Sequence, residues 1–152
     1  MKNKNIILAS ASPRRQELLK MIFDDFSVIA ADIEEIVPPE ITIENAPVFL
    51  ARQKAMHIAK EHTDSLVIGA DTSVICDGKI LGKPKSKAEA REMLRLLSNN
   101  THKVITGCAL AFNGKITSFS SVTEVEFLSL SEKEIEEYIE GSEPYDKAGG
   151  YG

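Results

Sequence analysis

The middle of the chain carries Leu66-Val67-Ile68-Gly69-Ala70-Asp71, an apolar run that ends in a carboxylate. A continuous apolar run of this length predicts a buried strand. Because ligands in α/β sheets bind outside the carboxyl ends of parallel strands, Asp71 could hold a divalent ion or position a water molecule. The alternative is an aspartate that only forms a turn.

Helix-like and strand-like patterns alternate on both sides of this run. Strands are predicted over residues 5–9, 26–30, 66–70 and 103–112, and one or two further strands over 115–127, with shorter pieces at 74–75 and 80–81. Helices are predicted over residues 13–23, 44–61, 86–97 and 131–141. A Ser-x-x-Glu capping box begins each of the last two helices, and Asn113-Gly114 is typical of a hairpin turn. This alternation, with a hairpin in the second half, predicts an α/β fold with a mixed sheet.

The composition is that of one folded domain. Apolar residues make up 43% of the 152 residues and the net charge is -5, which excludes a disordered chain. No apolar run approaches the roughly 18 residues that span a bilayer, so no membrane partner is expected. The segment Ile6-Ile7-Leu8-Ala9 is shorter than the roughly 7–15 apolar residues of a secretory signal, which favours a cytoplasmic protein. The acidic net charge argues against a protein that coats nucleic acid.

A basic cluster follows the first predicted strand, in Ser10-Ala11-Ser12-Pro13-Arg14-Arg15. Ser12 is a good N-cap and Pro13 a good first helical residue. The two arginines then fall at the positive end of the helix dipole, which costs about 0.3–1 kcal/mol for each exposed cation. A serine loop, backbone N–H groups and two guanidiniums together form an anion site. The alternative is a capped helix whose arginines pair with nearby acids.

Three further charged segments are candidates. The run Asp32-Ile33-Glu34-Glu35 follows a predicted strand and, with Asp71, could supply oxygen ligands to Mg²⁺ or Mn²⁺; the alternative is a solvated loop. Lys54 lies within an apolar helical stretch, and Lys83 lies in the constrained loop Gly82-Lys83-Pro84. Each lysine, taken alone, is by default a surface residue.

Several short motifs follow one another in a fixed order along the whole chain. They are Leu8-Ala9-Ser10-Ala11-Ser12-Pro13-Arg14-Arg15, Ile33-Glu34-Glu35, Leu50-Ala51-Arg52-Gln53-Lys54-Ala55, Gly69-Ala70-Asp71-Thr72, Leu81-Gly82-Lys83-Pro84 and Asp146-Lys147-Ala148-Gly149. With these motifs the chain resembles the Maf family of nucleoside triphosphate pyrophosphatases, also called septum formation inhibitor proteins.

The resemblance implies a fold and an activity. The implied fold is an elongated α/β domain with two lobes and a central cleft, similar to inosine triphosphate pyrophosphatases, over residues 1–152. The implied reaction cleaves a nucleoside triphosphate between its α and β phosphates, giving a monophosphate and pyrophosphate. The ending Asp146 to Gly152 resembles the subgroup that acts on dTTP, UTP and related non-standard nucleotides. Family members continue for a few dozen residues, so we expect this chain to lack their C-terminal segment.

The resemblance also assigns roles to single residues. Asp71 is the implied catalytic residue, which activates water as a proton acceptor. Asp71 and Glu35 are the implied ligands of a divalent cation, Mg²⁺ or Mn²⁺. The implied substrate-binding residues are Ser12, Arg14, Arg15, Lys54, Thr72 and Lys83. The implied partner is the nucleotide substrate, and a homodimer is expected because similar proteins often pair.

A second hypothesis keeps the nucleotide but drops the chemistry. The family's septation name suggests a nucleotide-binding regulator of cell division that signals by occupancy. An Asp71→Asn variant separates the two readings, because only an enzyme needs the carboxylate for turnover.

Overall fold

The computed structural model describes residues 5–152. Within that range the elements alternate along the chain much as the patterns predict. They are β1 (Asn5–Leu8), α1 (Pro13–Lys20), β2 (Ser27–Val28), α2 (Ala46–Ala59), β3 (Ser65–Cys76), β4 (Lys79–Leu81), α3 (Lys87–Leu97), β5 (Thr101–Phe112), β6 (Lys115–Glu126) and α4 (Glu132–Ile139), followed by two short 3₁₀ turns at Glu143–Asp146 and Ala148–Gly150.

The six strands of the described range form one mixed sheet in the order β2-β1-β3-β5-β6, with β4 paired to β3 off this path. Strand β1 runs parallel to β2 and to β3, whereas β4 runs antiparallel to β3. The mixed α/β fold expected from the sequence is therefore confirmed. The parallel register sets Leu8 beside Ile68, so the loop that follows β1 lies next to the middle of β3.

Strand β3 differs from its prediction in one respect that matters for the site. The sequence predicts two pieces separated by a bend, but Ser65–Cys76 is one continuous strand of 12 residues. Its first half pairs with β1 as far as Ile68, and its last residues, Val74 to Cys76, pair with β4. Asp71 therefore lies within the strand rather than after its end. It still lies just beyond the parallel pairing, where ligands of α/β sheets bind.

Helices α3 and α4 both begin at the predicted serine caps, Ser86 and Ser131. The Ser131 side chain accepts from the Glu134 N–H while the Glu134 side chain accepts from the Ser131 N–H, so the predicted capping box of α4 is complete. The box predicted for α3 is half formed. Ser86 Oγ accepts from the Glu89 N–H at 3.1 Å, but Glu89 Oε2 accepts from the N–H of Lys85, one residue earlier, at 2.7 Å.

The chain divides into two compact units. The first contains the chain up to Asp71 together with Thr106–Ser120, and the second contains Thr72–Ile105 and Ser121–Gly152. Small and branched residues fill the main core of the first unit: Ile7, Ala9, Ala51, Ala55, Ile58, Val67, Ala109 and Ala111. Two clusters fill the second unit: Val74, Cys76, Leu81 and Leu97, and then Ala90, Leu94, Ile135 and Ile139.

In the first unit, helix α2 lies unusually close to the sheet. A Cβ atom on Gly69 of β3 would stand 2.3 Å from the carbonyl oxygen of Ala51. A Cβ atom on Gly107 of β5 would stand 2.4 Å from the carbonyl carbon of Pro47. Only hydrogen fits at these two positions, so the two glycines set the distance between α2 and the sheet.

No helix within residues 5–152 is both long enough and apolar enough to cross a membrane.

Candidate active site

The loop between β1 and α1 is shaped by two serine hydroxyls. Ser12 has the extended backbone of an N-cap, and its Oγ accepts from the Arg15 N–H at 3.4 Å. Ser10 Oγ accepts from the Ser12 N–H at 3.2 Å. This arrangement agrees with the predicted cap and begins α1 with Pro13, Arg14 and Arg15 in its first turn.

Arg15 turns from this loop towards strand β3. Its Nη1 donates to Ser10 Oγ at 3.2 Å and to the carbonyl oxygen of Ala70 at 3.3 Å. Burial lowers the pKa of the Arg15 guanidinium, and the negative charge of Asp71 opposes this change. The side chain therefore joins the loop after β1 to the residue that precedes Asp71.

Lys54 of helix α2 holds two carboxylates. Its Nζ lies 3.0 Å from Asp71 Oδ1 and 2.8 Å from Glu35 Oε1. The side chains of Lys54 and Asp71 are only 12% and 13% exposed, whereas that of Glu35 is 52% exposed. Lys54 is thus not the surface residue that its position in the sequence suggests by default.

The close approach of α2 explains this contact. Gly69 and Asp71 are two residues apart on a strand, so they face the same side of the sheet. Gly69 admits the backbone of α2 at Ala51, and Lys54 of that helix then reaches Asp71.

The surroundings of Asp71 raise the pKa of its carboxyl overall, although they contain influences of both signs. Burial raises the pKa of the Asp71 carboxyl, because desolvation disfavours its charged form. The charge and hydrogen bond of Lys54 lower it, the negative charge of Glu35 raises it, and Arg15 lowers it. Lys54 is the largest influence that favours the ionised carboxylate.

The two carboxylates around Lys54, Glu35 and Asp71, are candidate ligands of a divalent cation. Within residues 5–152, no group of three or more His, Cys, Asp or Glu side chains is placed to hold a metal ion. Two carboxylate oxygens do converge on one ammonium nitrogen, each within 3.0 Å. Mg²⁺ usually takes one or two protein carboxylates and completes its octahedron with water and substrate phosphates. Glu35 and Asp71 therefore fit a hard cation whose remaining ligands are water and the oxygens of an anionic substrate.

Comparison with known proteins now identifies the family. A family model described as Maf-like protein matches residues 5–152. This chain belongs to the Maf family. A relative from Bacillus cytotoxicus is 49% identical over 149 residues, which cover 98% of this chain and 78% of that protein. A relative from Halalkalibacterium halodurans is 46% identical with the same coverage. Both relatives are named dTTP/UTP pyrophosphatase.

Two solved structures share the fold of this Maf chain. The Staphylococcus aureus Ham1 protein matches with a TM-score of 0.59 at 22% identity, covering 81% of this chain and 71% of that one. A HAM1 protein from Coxiella burnetii matches with a TM-score of 0.58 at 19% identity, covering 81% and 72%. At such low identity the likeness shows the fold alone, and it agrees with the mixed α/β architecture.

The structure brings most of the predicted site residues of this Maf protein together in the first unit. Hydrogen bonds or ion pairs connect Ser12, Arg15, Glu35, Lys54 and Asp71 to one another or to their immediate neighbours. Arg14 is exposed in the first turn of α1.

The other two predicted residues, Thr72 and Lys83, belong to the second unit. Thr72 is half-buried in β3, and Lys83 is exposed in the loop after β4. The Gly149 N–H donates to the carbonyl oxygen of Gly82 at 3.1 Å, so the 3₁₀ turn near the end of the chain supports the Lys83 loop.

Sequence reasoning gave no role to two residues that the structure shows to be well connected. Ser10 is buried and its hydroxyl accepts two hydrogen bonds; the available signal was a serine directly after an apolar strand. His102 is 2% exposed and its Nε2 shares a hydrogen bond with the Tyr151 hydroxyl. Burial lowers the pKa of His102, which favours a neutral ring within the second unit.

Proposed function

We propose that this chain is a nucleoside triphosphate pyrophosphatase that cleaves dTTP, UTP and related non-standard nucleotides into the monophosphate and pyrophosphate. The observation that carries the proposal is the Lys54 ammonium, which pairs with the carboxylates of Asp71 and Glu35. The Arg15 guanidinium lies close by, because it donates to the carbonyl oxygen of Ala70, the residue before Asp71. The names of the Maf relatives support the substrates and the products.

The cations of the site suit a triphosphate. Arg15 and Arg14 stand at the N-terminus of α1, where backbone N–H groups and the helix dipole also attract an anion. We assign phosphate contacts to these two arginines, to Ser12 and to Lys54. Lys83, in the exposed loop after β4, stays a predicted substrate-binding residue. Several cations are needed because negative charge on the phosphate oxygens redistributes in the transition state.

Asp71 is assigned the proton transfer. Its carboxylate accepts a proton from the water whose oxygen attacks a phosphorus atom of the α–β bridge. The bond from that phosphorus to the bridging oxygen then breaks, which separates the monophosphate from pyrophosphate. The ionised form is required for this step. Lys54 favours that form, but burial is the larger influence and raises the pKa of the Asp71 carboxyl, which makes the carboxylate a stronger base. Lys54 also fixes the orientation of the carboxylate through the 3.0 Å contact with Oδ1. Thr72, the next residue along β3, is assigned to substrate choice together with Arg14.

A divalent cation, Mg²⁺ or Mn²⁺, would supply charge neutralisation and a more acidic bound water when present. Glu35 and Asp71 would hold it with their carboxylate groups.

Product identification tests the proposal. The protein is incubated with dTTP, UTP or 7-methyl-GTP and Mg²⁺ or Mn²⁺, and pyrophosphate, phosphate and monophosphate are assayed separately. We expect pyrophosphate and monophosphate in equal amounts, from dTTP and UTP in preference to 7-methyl-GTP. Release of single phosphates would overturn the proposed cleavage position.

Two variants separate turnover from binding. Asp71→Asn should lower kcat by about 10²–10⁴-fold, the usual contribution of a general base, while nucleotide binding persists. Asp64→Asn, at an exposed aspartate outside the candidate site, should leave kcat unchanged. Nucleotide binding by a wild-type protein that shows no turnover would favour the regulator instead.

A further inference from the structure

Ser10 occupies a position that the proposed chemistry does not yet use. It lies two residues beyond the end of strand β1 and is only 6% exposed. Its Oγ accepts from the backbone N–H of Ser12 at 3.2 Å and from Nη1 of Arg15 at 3.2 Å. One buried hydroxyl thus contacts both the backbone of the loop and the guanidinium that extends from it.

The same guanidinium nitrogen has a second acceptor on another element. Arg15 Nη1 also donates to the carbonyl oxygen of Ala70 in β3 at 3.3 Å. A guanidinium is planar, so two acceptors on one nitrogen fix both the plane and the direction of the whole group. Ser10 and Ala70 are 60 residues apart in sequence, and together they hold Arg15 beside Asp71.

We propose that Ser10 is a positioning residue for the reaction: its hydroxyl, with the Ala70 carbonyl, aims the Arg15 guanidinium at the phosphates of the substrate. This inference rests on the proposed function. Arg15 is partly desolvated, and a buried cation that loses an acceptor gains by turning back towards water. Removal of the Ser10 hydroxyl therefore loosens the orientation of Arg15, although the arginine itself and its contact with the Ala70 carbonyl remain.

A purely structural role makes a different prediction. If Ser10 only stabilises the turn through the Ser12 N–H, then Ser10→Ala lowers the melting temperature and its effect on turnover does not depend on Arg15. A double-mutant cycle distinguishes these roles, because only residues that act through one another show a coupling energy.

The experiment compares four proteins: the wild type, Ser10→Ala, Arg15→Ala and the double variant. We expect Ser10→Ala to lower kcat/KM for dTTP by about tenfold or more when Arg15 is present, as for loss of a hydrogen bond to a charged group. We expect less than about a twofold effect in the Arg15→Ala background. Ser65→Ala is the matched control, because Ser65 is a similarly buried serine of the same unit and should leave kcat/KM unchanged.

A spectroscopic readout keeps the inference independent of turnover. Nitrogen-15 spectra of the wild type should show restricted rotation of the Arg15 guanidinium, and Ser10→Ala should make that rotation faster. Equal effects of Ser10→Ala in both backgrounds, or unchanged rotation, would overturn the positioning role. A wild type that shows the restricted rotation but neither binds nor cleaves dTTP would instead overturn the proposed function alone.

Discussion

A single methyl group added at Gly69 should disturb both the fold and the site. In Gly69→Ala the new Cβ would stand 2.3 Å from the carbonyl oxygen of Ala51 and 2.9 Å from the amide nitrogen of Ala55. Ordinary contacts of a Cβ begin at 3.4 Å, so helix α2 must retreat by about 1 Å. Both neighbours are backbone atoms, and no side-chain rotation relieves the clash.

The size of the effect follows from this displacement. Overpacking of a well-packed core costs about 1–3 kcal/mol, and a protein of this size loses about 2–4 °C of melting temperature for each kcal/mol. We therefore expect Gly69→Ala to melt about 2–12 °C below the wild type. Because α2 carries Lys54, the same shift moves the ammonium away from Asp71. A misplacement of about 1 Å can lower turnover by about 10²-fold.

The assay combines a thermal melt with kcat/KM for dTTP at a temperature where the variant is fully folded. Gly141→Ala is the control, because the nearest atom to its new Cβ is the Tyr138 carbonyl oxygen at an ordinary 3.5 Å. An unchanged melting temperature would refute the packing argument. A lowered melting temperature with wild-type kcat/KM would refute the step from α2 to Lys54.

Two further predictions concern the second unit. Leu97→Ala removes a fully buried side chain from the cluster that Leu97 forms with Val74, Cys76 and Leu81. It should lower the free energy of unfolding by about 2–5 kcal/mol, measured by urea denaturation. His102 has its pKa lowered by burial, so the unfolded chain binds a proton below about pH 6.5 that the folded chain resists. The stability present above about pH 6.5 is therefore lost as the pH falls, and His102→Phe should reduce the difference between urea midpoints measured at about pH 7.5 and about pH 5.

The sequence predicts the local elements well because their signals are local. The hairpin turn at Asn113-Gly114 and the N-caps at Ser12 and Ser131 each depend on a few neighbouring residues, and the structure contains all three. The continuity of β3 is less visible, because the pairing of Val74 to Cys76 with β4 carries the strand past Asp71. Neighbouring residues in sequence give no information about that pairing.

The contacts of the candidate site are harder to predict because they join distant segments. Lys54 is largely buried because Gly69 and Gly107 let α2 approach the sheet, and nothing in the helix itself indicates this. Ser10 contacts Arg15 in the first turn of the following helix α1, but the significance of that contact depends on Ala70 in strand β3. Family motifs name such residues without showing how one supports another.

Three successive residues of β3, at positions 69–71, position both cations of the site, Lys54 and Arg15. Gly69 sets the distance of α2 and hence of Lys54, the Ala70 carbonyl accepts from Arg15, and the Asp71 carboxylate accepts from Lys54. A shift of β3 would move both cations, whereas Gly69→Ala moves the helix that carries Lys54 and Ser10→Ala loosens only Arg15. The two substitutions therefore perturb the two cations separately. If the cations act on different parts of the substrate, the losses of kcat/KM in the combined variant should multiply, because separate contacts contribute additively to the free energy.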